Sequence, residues 1–184
     1  MAEGTTNTTL IYEFLYRTTS DGGLILDENQ RVIHLNPAAA APSLAAYRTH
    51  FAPSQRDSEP RSMLALNVSC ASTPDAAARA GSSAAAIYAA AARGNRLPRV
   101  PLAKDACDML GGVPRRWRYE PGAWPATLHG TPDQLRADLS AIADEGGSDE
   151  IMVQDFIAEP EQRLESYSLL AEAFGLTPTE AADA

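Results

Sequence analysis

The sequence predicts an α/β fold with a parallel sheet, and three observations carry that expectation. Nearly all-apolar runs that suit strands buried on both faces stand at Met63–Cys70 and at 150–157, the latter around Ile151-Met152-Val153. Stretches with apolar residues at helical spacing follow them. Two of these helices open with the same punctuation, Thr73-Pro74-Asp75 and Thr131-Pro132-Asp133, in which threonine caps and proline takes the first helical position. Strands alternating with amphipathic helices imply right-handed crossovers between parallel strands.

Residues 1–10 are rich in Thr, Asn and Gly and are expected to be poorly ordered. A short helix is expected at 11–17, then a turn at Ser20-Asp21-Gly22-Gly23. Leu24-Ile25-Leu26 and Arg31-Val32-Ile33-His34-Leu35 read as a β-hairpin closed by Asp27-Glu28-Asn29-Gln30. Leu44, Tyr47 and Phe51 share one face of a helix over 40–51, which Pro53-Ser54 closes, and a polar linker follows at 56–60. The helix capped by Thr73 is Ala-rich and reaches about Arg93. Residues 94–126 are rich in Pro, Gly and Arg, with a turn of helix around 103–110, and read as a lid or an imperfectly folded loop.

A short apolar piece at 126–129 leads into the helix that starts at Thr131. Leu135, Leu139, Ile142 and Ala143 form its apolar stripe, Arg136, Asp138, Asp144 and Glu145 lie outside it, and Gly146-Gly147 stops it. The last helix, 159–174, places Leu164, Tyr167, Leu170, Ala171 and Phe174 on one face with Gly175 as its C-cap. The shared periodicity predicts one buried cluster of Leu135, Leu139, Ile142, Ile151, Val153, Leu164, Tyr167 and Leu170. The polar, acidic tail after Thr177 is expected to fray.

The 184 residues, 45% hydrophobic, suffice for one ordinary core. A net charge of -9, with Lys104 the lone lysine, argues against nucleic acid or an anionic membrane as the main partner. Arg115-Arg116-Trp117-Arg118 is the one basic cluster and reads as a solvated loop whose Trp117 packs inward. Cys70 and Cys107 are too few and too far apart for a zinc site or a disulfide framework, which points to a reducing compartment. With no export signal pattern and no apolar run long enough to span a bilayer, the cytoplasm is the expected location.

No nucleophile constellation, phosphate-cradling glycine loop or metal-ligand cluster is visible, so no catalytic or metal-binding residue is expected. His34, His50 and His129 stand alone, and structural or surface roles are expected for each. Asp155 lies at the end of a strand, where solvation is the favoured reading. Gly130 and Thr131 are the candidate cofactor-binding residues. A glycine and a hydroxyl residue at a helix N-terminus leave backbone N–H groups available to an anion, although simple capping is the commoner use of Thr-Pro-Asp.

Two resemblances add to this. The stretch from Asp21 through the hairpin to Asn36-Pro37-Ala38-Ala39 resembles the opening of a PAS sensory domain, which divides the chain into an incomplete PAS-like segment at 1–41 and a second part at 42–184. From about Pro42 to Leu176 the chain looks like the C-terminal part of a luciferase-like flavin-dependent monooxygenase. The likeness rests on Ala45-Ala46-Tyr47-Arg48-Thr49-His50-Phe51-Ala52-Pro53-Ser54, Leu64-Ala65-Leu66-Asn67-Val68 with Thr73-Pro74-Asp75-Ala76-Ala77-Ala78, His129-Gly130-Thr131-Pro132-Asp133-Gln134-Leu135, Asp149-Glu150-Ile151-Met152-Val153 and Arg163-Leu164-Glu165-Ser166-Tyr167-Ser168-Leu169-Leu170-Ala171.

That resemblance implies part of a (β/α)8 TIM barrel, with strands near 63–69 and 150–155 as its last two. It also implies reduced FMN as cofactor, oxygen and a small organic molecule as substrates, a separate flavin reductase as partner, and room for a homodimer. A complete barrel takes about 250 residues, and the family's earlier strands have no counterpart here. A truncated or rearranged gene product, inactive on its own, is the expectation; a fusion acting as a sensory or interaction module is the alternative.

Overall fold

The structure, a computed structural model, describes residues 24–26, 32–35, 37–54, 58–121, 124–125 and 127–176, with side chains from residue 41 onward. The helix expected at 11–17, the turn before the hairpin, the hairpin loop Asp27-Glu28-Asn29-Gln30 and the tail after Thr177 lie outside the described residues. The elements run in the order β1 (Leu24–Leu26), β2 (Val32–Leu35), α1 (Pro37–His50), β3 (Met63–Cys70), α2 (Pro74–Ala92), α3 (Ala103–Leu110), β4 (Thr127–Gly130), α4 (Pro132–Gly146), β5 (Glu150–Gln154) and α5 (Pro160–Ala173). This is a mixed α/β fold with a small three-stranded parallel sheet, ordered β4-β3-β5. β1 and β2 form a separate antiparallel pair, Leu24 opposite Leu35.

One strand differs from the expected burial. β3 is the central strand, and every residue from Leu66 to Cys70 is buried. β5 alternates instead, with Ile151 and Val153 half-buried and Glu150, Met152 and Gln154 exposed, so one of its faces is uncovered. An apolar run is therefore not enough to make a strand two-sided; other elements must cover both faces, as they do at the opposite edge of the sheet, where Leu128, His129 and Gly130 of β4 are buried.

The described residues fall into two compact units. One lies within Met1–Leu64, Tyr119–Ala126 and Ile142–Ile151, the other within Ala65–Arg118, Thr127–Ala141 and Met152–Ala184. In the first, Leu44, Trp124 and Ile142 are buried. Arg48 on α1 donates to the Gly146 carbonyl at 3.0 Å, to Ser62 Oγ at 3.0 Å and to Asp149 at 3.3 Å. Asp149 also accepts the Ser62 backbone N–H at 2.8 Å. Gly147 ends α4 with φ of 58°, a left-handed conformation that favours glycine, and a Cβ there would also displace the Arg48 guanidinium. Tyr47 and Phe51 meet edge to face at 5.8 Å, as their shared helix face leads one to expect, although Tyr47 remains exposed.

In the second unit, Thr73 Oγ1 accepts the Ala76 N–H at 3.3 Å and Pro74 sits in the first turn of α2, as the sequence predicts. Ala77, Ala80, Gly81 and Ala84 give α2 a flat buried face. The stretch expected to be a lid or a poor fold is anchored here: Ser82 and Ser83 of α2 donate to the carbonyls of Ala103 and Pro101 at 3.1 and 2.8 Å. The Ala103 N–H that opens α3 donates to Glu159 Oε1 at 2.9 Å.

The predicted apolar cluster is only half correct. Leu135, Leu139, Ile142 and Leu170 are buried, but Leu164 is 70% exposed, Tyr167 is 42% exposed, and Phe174 is also exposed. α5 is rotated from the expected facing and buries Ser166 and Leu170, one turn apart. This facing is accompanied by a hydrogen bond: Ser166 Oγ accepts the Cys70 N–H at 2.9 Å, at the end of the central strand. Leu139→Ala should therefore lower stability by about 2–5 kcal/mol, while Leu164→Ala should stay within about 0.5 kcal/mol of the parent. Urea unfolding midpoints of the two variants check the pair, and equal losses would contradict the observed facing of α5.

Candidate functional site

Ligand sites in open α/β sheets gather beyond the carboxyl ends of the strands. Here those ends are Cys70, Gly130 and Gln154, all in the second unit. β3 and β4 pair in register, Asn67 with Thr127, Val68 with Leu128, Ser69 with His129 and Cys70 with Gly130, so Asn67, Ser69 and His129 share one face of the sheet. α2 approaches His129 closely. A Cβ on Gly81 would lie 2.9 Å from the His129 Cβ, so the glycine makes room for the histidine.

At the start of α4, the candidate pair Gly130 and Thr131 is occupied by the protein itself. The Thr131 N–H donates to Gln134 Oε1 at 3.1 Å, three residues along, as in the second arm of a capping box. A Cβ on Gly130 would meet Gln134 at 3.1 Å and Arg116 Nε at 3.4 Å. The Thr131 N–H is thus already engaged.

Arg116 was expected in a solvated basic loop, and this is corrected. Its Nη2 donates to Asp138 Oδ2 at 2.5 Å, and both side chains are largely withdrawn from water. Asp138, placed outside the apolar stripe of α4 by its charge, is buried because it has this partner. Arg115 and Arg118 are exposed, and Trp117 is half-buried. Burial, and then the Arg116 charge, pushes the His129 pKa below its ordinary 6.5, so the ring is held neutral.

The other sequence candidates lie apart from this group. Asp155 is not solvated: its carboxylate is almost fully buried, pairs with Arg163 at 3.2 Å and accepts the Ile157 N–H at 2.8 Å. Its hydrogen bond raises the Tyr167 pKa. Arg163 also donates from Nε to the Ile157 carbonyl at 3.0 Å, so Asp155 organises the β5–α5 turn. Burial and the Glu165 carboxylate push the Cys70 thiol up to about 11, which leaves it protonated and a poor nucleophile. His50 is exposed at the end of α1, and His34 lies on β2. Among the described residues no group of three or more His, Cys, Asp or Glu could hold a metal ion, and no helix is long and apolar enough to cross a membrane.

Sequence reasoning overlooked Asn67 and Ser69, both buried on β3. Asn67 Nδ2 and Oδ1, Ser69 Oγ and His129 Nε2 have no hydrogen-bond partner among the described residues. Each such atom costs about 1–3 kcal/mol when left unpaired, so four of them weigh as much as the whole stability of a small domain. The signal was the i, i+2 spacing of two polar residues inside an apolar strand, which puts both on one face.

The chain is therefore an α/β protein with a polar group of side chains at the ends of two parallel strands. No family model matches it. It is 26% identical over 141 residues to the uncharacterised protein YvbT of Bacillus subtilis (strain 168), a match spanning 77% of this chain and 41% of that protein. It is similar to the crystal structure of apo-MsnO8 with a TM-score of 0.66 and 34% identity, over 78% of this chain and 43% of that one. The chain thus spans less than half the length of these two relatives.

Two outcomes are expected. Gly81→Ala should cost about 1–3 kcal/mol by overpacking, measured by chemical unfolding. Because the folded state resists protonation of His129, the unfolded chain takes the proton first, so this group's stability contribution is complete above 6.5 and is lost as pH falls below it. Asp149, whose pKa is lowered chiefly by the Ser62 N–H, acts in a different window: its contribution is lost as pH falls below its ordinary 3.8. Unfolding midpoints between pH 8 and about 5 should fall in the parent and stay flatter in His129→Gln.

Proposed function

We propose that residues 42–176 are the C-terminal part of a luciferase-like flavin-dependent monooxygenase barrel, and that this chain alone has no turnover. The fragment part of the reading is supported by a 34% identical match, with a shared fold, to less than half of a longer solved chain, and the flavin part rests on the residue resemblance from Ala45 to Ala171. The adjacency of β3 and β5 supports it, because the last two strands of a barrel are neighbours. The short β4, which follows β3 in the chain, pairs with the other side of β3 at Asn67–Cys70. The complete barrel would act with oxygen on a small organic substrate, supplied with reduced flavin by a separate reductase.

FMN brings the oxygen chemistry in such a barrel, but the residues present do not fit its phosphate. The Thr131 N–H is taken by Gln134, the Arg116 guanidinium is paired with Asp138, and Gly130 is walled in by both side chains. Even a free helix start would contribute about 1 kcal/mol, against the roughly 8 kcal/mol of micromolar binding. Titration of FMN into the purified chain, followed by flavin fluorescence, should show weak binding or none. Micromolar binding that is lost in Thr131→Ala and Gly130→Pro would overturn the reading.

The separate antiparallel pairing of β1 with β2 favours one second reading, a PAS-like sensory or interaction module without catalysis. Hydrogen exchange distinguishes the two. Hairpin amides as slow as those of β3 would support the sensory module, and fast exchange is expected for a weakly supported hairpin.

A further inference from the structure

Asn67, Ser69 and His129 lie on one face of the β3–β4 pair, with Ser69 directly opposite His129, and are 2%, 1% and 6% exposed. Burial alone does not leave them unpaired. Ser82 and Ser83 on α2 are equally buried, and each reaches a backbone carbonyl. Buried polar groups are hydrogen-bonded as a rule, and three neighbouring exceptions on one face call for a common partner.

We propose that Asn67, Ser69 and His129 form a binding site for an uncharged hydroxyl group, carried by water or by a small alcohol. The chemistry of the three side chains selects this class. Asn67 offers one acceptor and a donor group, Ser69 can do either, and a neutral His129 presents Nε2 as one or the other. A hydroxyl donates one bond and accepts two, which matches such a mixed set. A cation would face the Arg116 guanidinium across His129, and an anion would face the Asn67 carbonyl oxygen, with the Arg116 charge balanced by Asp138 through Nη2 while its buried Nε has no partner among the described residues. The site does not depend on the flavin reading.

The test uses the full chain. Water ¹⁷O relaxation dispersion counts long-lived internal water, and water-to-protein cross-relaxation locates it at the Asn67 side-chain amide. Ethanol, titrated as the probe for small alcohols, should give saturable shifts of that amide if alcohols enter. Long-lived water at Asn67 that is lost in the Asn67→Leu/Ser69→Ala double variant supports the site with water as occupant. A saturable ethanol shift that displaces this water extends it to alcohols. Absence of both from the parent protein, or a water signal unchanged in the folded double variant, overturns the proposal. Should the double variant fail to fold, the cross-relaxation and ethanol shifts of the parent, read beside Ser69→Ala, decide it alone.

Discussion

The described sheet depends on burying both faces of β3 at once. From Leu66 to Cys70 every side chain is withdrawn from water, so apolar matter must cover both sides and each polar group needs a partner in the protein. Leu64, Leu66, Val68 and Cys70 alternate on one face. Fully burying aliphatic side chains of this kind contributes about 1.5–3 kcal/mol each. The backbone is completed from two directions, since β4 supplies the ladder over Asn67–Cys70 and Ser166 takes the Cys70 N–H. That last bond belongs to the observed facing of α5, in which Ser166 and Leu170 are buried and Leu164 is in water. A polar contact at one strand end thus takes a place among the core residues of a helix.

The acidic composition is used in a similar way. Asp138, Asp149, Asp155 and Glu145 each accept hydrogen bonds from residues distant in the sequence or from a turn they close: Arg116, Ser62 and Arg48, Ile157 and Arg163, and Trp124 at 2.6 Å. Charge-assisted bonds are roughly twice as strong as neutral ones, and at Asp138, Asp155 and Glu145, which are partly or largely buried, water screens them less than at the exposed Asp149. These carboxylates fasten loops to helices within their units. Composition counts them as surface charge, while geometry makes several of them internal struts.

The parts legible in the sequence were those set by local rules. The starts of α2 and α4, the stop at Gly147 and the αL residue Gly175 follow from capping chemistry that acts within one turn. The α/β class followed from period and order. What could not be read was fixed by partners far along the chain. Arg116 and Asp138 are 22 residues apart and Cys70 and Ser166 are 96 apart, and neither pair leaves a local trace. The one-sided burial of β5 depends on what packs against each of its faces, which periodicity does not contain. Asn67 and Ser69 were visible as letters, but an apolar run around them concealed that two polar side chains had been placed on one buried face.

The Gly130-Thr131 corner shows why a helix start is weak evidence for a ligand. An anion site and a capping box require the same backbone, a residue outside the helix followed by N–H groups pointing along its axis. They differ in what fills the space in front of it. Here Gln134, three residues into the motif, returns its side-chain oxygen to the Thr131 N–H, and Arg116 closes the other side with its charge already given to Asp138. A phosphate entering this corner would have to displace an internal hydrogen bond, in exchange for the modest attraction of a helix terminus. A Cβ at position 130 would press on the Gln134 side chain, so the small residue here suits the fold's own side chains. The unpaired polar atoms of His129, one residue back along β4, and of its register partner Ser69 are the stronger mark of an occupant from outside the chain.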